Sequence, residues 1–186
     1  MEFVRELARL AATGRFGAFH AGVHLSEVVA AYGEPEWSGR VDREERWPHW
    51  FGYGGLQPVF CRCRRLDALY VPARHEELTL PGPGRGESRS ASLPVTGTQL
   101  TAALEEAGAT FRTRWSEDAP DELPDQWTLY AEPAPHTVVT FTFWNRDPEE
   151  GTPKEDWPLY QAGLSGSDHT ECPEPDRSLP DDGYGA

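Results

Sequence analysis

The side chains best suited to chemistry in this chain are its thiols, imidazoles and carboxylates, and their spacing decides what each could do. Cys61-x-Cys63, with His75 downstream, offers the soft sulfur and nitrogen ligands that zinc takes. Zinc knuckles usually separate paired ligands by two to four residues, and no fourth ligand follows at a usable distance. The alternation around them predicts strand cysteines instead, with Val59, Cys61 and Cys63 on one face, and free Cys behaves there as a small buried hydrophobe. His20 and His24 have the i, i+4 separation of helical zinc pairs, but Gly22 lies between them and the next helix begins near Leu25, so they fall in an entry loop. Gly163, Ser165 and Ser167 imperfectly match a nucleophile elbow, which needs a strand before the Ser and a helix after it. The segment reads instead as polar and irregular. Gly82, Gly84 and Gly86 alternate without the strand-to-helix context or the Lys that a phosphate-cradling loop requires. Glu44, Glu45 and Asp67 have no partner acid or His at a spacing that would set up acid/base work. No catalytic residue, metal site or cofactor is therefore expected.

The aromatic residues form a stronger pattern. Trp37, Trp47, Trp50, Tyr53, Trp127, Tyr130 and Trp144 sit in or beside predicted strands. Trp and Tyr dominate binding hot spots, and an antiparallel sheet packed by helices on one side leaves its other face free. Trp37, Trp47, Trp50, Tyr53, Trp127 and Tyr130 are the candidate partner-binding residues, each competing with an ordinary place in the core.

The elements that would position them follow from periodicity. Phe3, Leu7 and Leu10 make the N-terminus an amphipathic helix stopped at Thr13-Gly14, and residues 15–21 read as a short extended piece. In GVHLSEVVAAYGEP (22–35) Leu25, Val28, Val29 and Tyr32 fall at helical spacing, with Gly33 at the stop and Pro35 beyond it. Residues 46–79 change to alternation and read as three short antiparallel strands. Residues 81–92, PGPGRGESRSAS, carry no large apolar anchor and read as a linker. A second helix, GTQLTAALEEAG (97–108), is followed by the strand VVTFTFW.

The two halves match. At an offset of 75 residues Gly22, Leu25, Val29 and Gly33 meet Gly97, Leu100, Leu104 and Gly108, and at an offset of 77 Trp50 and Tyr53 meet Trp127 and Tyr130. The expected fold is α+β: two tandem units of helix plus antiparallel sheet packed as one globule. Residues 1–80 hold the N-terminal helix and the first unit, 81–92 the linker and 93–164 the second unit. Residues 165–186 form an acidic tail expected to be disordered.

Composition limits the function. With 186 residues the chain can hold one full core, and its seven Trp, eight Phe and six Tyr can fill it. A net charge of −14 disfavours direct nucleic-acid binding and would steer a basic partner instead. Three cysteines with no leader-like N-terminus imply reduced thiols, and no stretch of about 18 apolar residues exists to span a membrane. A cytoplasmic location is expected.

The phrase GVHLSEVVAAYGEP resembles the signature of small helix-then-sheet modules of the SmpA/OmlA lipoprotein type, and its tandem arrangement resembles the β-lactamase inhibitor protein fold and small bacterial immunity proteins. That resemblance implies two joined sheets with an aromatic surface that clamps another protein. The expected function is a non-enzymatic protein-binding module, an immunity or inhibitor protein that occludes a basic partner with an aromatic and acidic sheet face. A scaffold or regulatory subunit is the alternative, and a small enzyme with a site assembled only in the fold is the second.

Overall fold

Phe3, Leu7 and Leu10 are the buried stripe of the first helix, α1 (Glu2–Thr13), in the computed structural model, which describes residues 2–44, 47–74, 77–115, 126–145, 152–166 and 172. The chain then makes a two-residue-per-strand hairpin, β1 (Arg15–Phe16) and β2 (Phe19–His20), that buries Phe16 and Phe19. Helix α2 (Leu25–Tyr32) opens on a capping box. The His24 side chain accepts from the Ser26 backbone N–H, and Glu27 accepts from the His24 N–H. It ends as the Gly33 N–H bonds Val29 O at 2.8 Å. Helix α3 (Gly97–Glu106) opens on the same device, with Thr96 and Gln99 in the two roles. Gly33 and Gly108 both take positive φ, 93° and 67°, where a side chain would be strained.

Ten further strands follow the first hairpin. They are β3 (Trp37–Arg40), β4 (His49–Gly52), β5 (Gln57–Phe60), β6 (Leu66–Pro72), β7 (Glu77–Pro81), β8 (Ser88–Ser92), β9 (Phe111–Trp115), β10 (Gln126–Ala134), β11 (Thr137–Trp144) and β12 (Leu159–Gly166). Eight of them form one antiparallel sheet in the order β3-β4-β5-β6-β12-β11-β10-β9. The middle of the sheet is the β6–β12 pair, where Val71 faces Ala162 and Leu69 faces Leu164. The fold is thus α+β, with α1 and α3 packed on each other and α1 against β10. No helix among the described residues is long and apolar enough to cross a membrane.

Side-chain alternation sends Leu69, Val71, Leu129, Phe141, Phe143 and Leu164 into a core shared with Leu7, Leu10, Val28, Leu100 and Leu104. One continuous cluster therefore joins the helices of both halves to both halves of the sheet. Burying large aliphatic and aromatic groups contributes about 1.5–3 kcal/mol each, so this cluster dominates the stability.

Four expectations change. Residues 81–92 hold the turn and return strand of a hairpin, β7 with β8, not a linker. Low apolar content hid it: the buried apolar side chains of the hairpin are Leu78, Leu80 and Ala91, and it is fastened by Arg89, which donates to both Glu6 oxygens at 2.7 and 2.6 Å. Gly163, Leu164, Ser165 and Gly166, read as polar and irregular, lie in β12, so the acidic tail cannot begin at 165. Glycine, serine and a bulge at Tyr160 mask the alternation there. Cys61 and Cys63 stand in the turn after β5, which ends at Phe60, and not on a strand. Finally, the offset of 77 pairs residues of opposite orientation. Trp50 lies between buried His49 and Phe51, whereas Trp127 is itself buried, and Tyr53 is buried where Tyr130 is not. The rest of the expected tail, apart from Cys172, and His75 lie outside the described residues.

Two consequences can be measured. Trp127 stacks on Phe143 with ring centres 4.2 Å apart and donates from Nε1 to Lys154 O at 2.8 Å. Trp127→Ala should lower unfolding free energy by about 3–5 kcal/mol, and Trp50→Ala by clearly less, in urea titrations. The second concerns His24. Burial, then the charges of Arg65 and Arg64, hold its imidazole below the ordinary 6.5. As pH falls below that value the unfolded chain gains a proton that the folded chain resists, so stability is lost on acidification. His24→Asn keeps an acceptor at the cap and should flatten stability against pH in that window.

Candidate functional site

Strand geometry sends alternate residues to opposite sides, so every core residue fixes the direction of its neighbours. With Leu69 and Val71 inward, Tyr70 points outward. With Phe51 inward, so does Trp50, and the two rings meet at 5.2 Å. Val59 pairs with Trp50 and Ala68 on this side. It is only 6% exposed yet lies outside the core cluster, so the outward aromatics themselves cover it. Trp37, on edge strand β3, pairs with Gly52 and is 44% exposed. A Cβ on Gly52 would collide with the Trp37 indole, so the ring lies across the β4 backbone where only glycine leaves room.

The same face continues across the centre of the sheet. Trp144 on β11 meets Tyr160 on β12 edge-on at 5.1 Å. Arg74, just past β6, sits 5.6 Å from the Tyr160 ring centre and donates to its hydroxyl at 3.1 Å. Tyr130 on β10 lies 5.1 Å beneath the Arg112 guanidinium, and Arg112 reaches Glu132 at 3.2 Å. Both members of that ion pair are largely exposed, so it contributes little stability. Rings stacked on guanidinium planes keep their edges and a charged rim available. Seven of the eight strands place an aromatic or an arginine here.

This face divides the six sequence candidates. Trp37, Trp50 and Tyr130 lie on it. Trp47 packs instead against His49 at 4.6 Å and under Arg64 at 5.4 Å. Tyr53 is in the core against Phe19 and Tyr32, where burial first and Glu34 second push its hydroxyl pKa upward. Trp127 is core as well. Tyr70, Tyr160, Arg74 and Arg112 were not assigned to the site from sequence. Their alternation with Leu69, Val71 and Leu159 is the signal that could have found Tyr70 and Tyr160. The face is also not acidic. Register places Arg112 and Arg114 on it, Glu132 joins through its ion pair with Arg112, Arg74 reaches over Tyr160, and exposed Asp67 stands beside Ala68 at the β5–β6 bulge.

A second grouping lies at the β5–β6 turn. The Sγ atoms of Cys61, Cys63 and Cys172 lie within 4.8 Å of one another, and Cys61 and Cys63 approach to 3.1 Å. Burial, and after it the Cys63 sulfur, push the Cys61 thiol up to about 12. His20 and His24, one in β2 and one capping α2, serve local hydrogen bonds to Ala21 O and the Ser26 N–H.

No protein-family model, curated protein or solved structure matches this chain. Gly52→Ala tests the construction of the face. It should move the Trp37 indole N–H resonance in heteronuclear NMR and leave those of Trp127 and Trp157 in place.

Proposed function

We propose that the chain is a non-enzymatic protein-binding module, an immunity or inhibitor protein that occludes a basic partner with the outward face of its sheet. The observation that carries this reading is the aromatic row Trp37, Trp50, Tyr70, Tyr160, Trp144 and Tyr130, which spans the sheet on the side away from the core. Buried in a complex, such rings supply most of the energy at few positions. The overall charge of −14 attracts a basic protein from a distance. On contact, Arg74, Arg112 and Arg114 confine docking to partner groups that accept arginine, such as carboxylates and backbone carbonyls.

In the same reading the face belongs to a duplicated unit, one helix followed by four strands. α2 with β3 to β6, and α3 with β9 to β12, run in the same order, and the sheet order mirrors itself about β6–β12. The capping boxes correspond at an offset of 72 residues (His24 with Thr96, Glu27 with Gln99), the glycine stops at 75 (Gly33 with Gly108). The second helix is two residues longer, and Ala107 stands between it and its glycine, which together account for the three-residue difference. A repeat of this kind agrees with the tandem-module resemblance of residues 22–35.

The test is co-purification from the native cell with tagged wild type, a Trp50→Ala/Tyr160→Ala variant and a Trp47→Ala variant. A protein partner of basic pI should be recovered with the wild type and with Trp47→Ala, and be lost with the double variant. In purified form, each face truncation should weaken binding by about 2 kcal/mol, or ~30-fold, and association should slow as salt rises. The partner's own activity should fall on binding. Recovery that is indifferent to the face substitutions, or a partner whose activity is unchanged in the complex, rejects the proposal.

A further inference from the structure

The β5–β6 turn is closed at both ends. The Cys61 N–H donates to Arg65 O at 2.9 Å, and the Arg64 N–H donates to Cys61 O at 2.8 Å. Arg64 takes φ 61°, a left-handed conformation uncommon for a residue with a side chain. The consequence is that Cys61 and Cys63 present their sulfurs to one point, 3.1 Å apart, rather than to alternate points along a strand. The third sulfur arrives from the other end of the chain. Ser165 of β12 pairs with Ala68 of β6, so the chain leaving β12 emerges beside the turn that leads into β6. Cys172 follows within a few residues, and Arg62 Nη2 holds its carbonyl at 3.1 Å. The three Sγ atoms then lie within 4.8 Å of one another, each in a half-buried residue.

We propose that Cys61, Cys63 and Cys172 together bind one soft divalent cation of the zinc class and so clamp residue 172 to the β5–β6 turn. Tetrahedral zinc holds thiolates at about 2.3 Å, which sets sulfurs a little under 4 Å apart, a spacing the trio reaches with small side-chain rotations. Thiolate ligands select zinc-class ions over magnesium or calcium, which take oxygen. On binding, three S–H protons leave to solvent and three sulfur–metal bonds form, with no change of oxidation state. The three thiolates and the dication sum to one negative charge, and the Arg62 guanidinium, held on the Cys172 carbonyl, is placed to offset it. The fourth position is left to water or an added ligand. The sequence spacing alone concealed the site, because Cys61-x-Cys63 is incomplete without a residue over a hundred positions away.

The full chain, reduced and freed of metal by a chelator, is titrated with zinc and followed by native mass spectrometry, and then with cobalt(II) followed by absorption. One ion per chain should bind, cobalt should show intense sulfur-to-metal charge-transfer bands, and zinc should protect three thiols from alkylation as counted by mass. Loss of an outer partner of a metal ligand already costs ~10–100-fold in affinity, so Cys172→Ser should weaken binding by at least that much. The alkylation count on wild type needs no variant, so a substitution that disturbs folding leaves the result readable. Absence of binding at micromolar zinc, protection of fewer than three thiols, or binding unaffected by Cys172→Ser would overturn the proposal.

Discussion

The pairing of β6 with β12 is the interaction on which the rest of the structure depends. Each half of the chain makes four strands of the large sheet, and among the described residues this pair joins the two sets. Its register sets Leu69 beside Leu164 and Val71 beside Ala162, so the inward side chains of both halves enter one core. A shift of one residue would turn every inward side chain of a half outward, so the buried core holds the register strictly. The same pairing carries the outward face without a break from Tyr70 to Tyr160. It also brings the end of β12 to the side of the sheet where the turn of Cys61 and Cys63 stands.

Around that pair the helices close one side only. α1 lies against α3 and β10 and also touches β8, so the hairpin that looked like a spacer becomes a strap on the helical layer through Arg89 and Glu6. On the opposite side Trp50 packs on Tyr70 and Trp144 on Tyr160, all half-buried, which holds their rotamers, while edge Trp37 stays exposed. In the proposed complex the long-range negative charge would act on encounter and the rings on the bound state.

Much of the architecture was legible in local patterns. α1, α2 and α3 follow from apolar spacing and from the glycine stops, since a helix needs only neighbours three and four residues away. The alternating TVVTFTFW of β11 is equally plain. β12 was not legible, because central strands can tolerate glycine and small residues when both neighbours supply the hydrogen bonds. β8 was missed for a related reason: Ser88–Ser92 has almost nothing apolar, and backbone pairing to β7 makes it a strand.

The class of the fold, the helices, the aromatic abundance and the charge are properties of composition or of contacts within a few residues, and local sequence settles them. Which aromatics are core and which form the face was decided by tertiary structure. Trp50 and Trp127 look equivalent in sequence and point to opposite sides, because the side of a strand residue is set by the register of its partners and not by its type. The thiol cluster is of the same kind. Cys172 means nothing beside its neighbours, and meets Cys61 and Cys63 only because β12 runs antiparallel to β6.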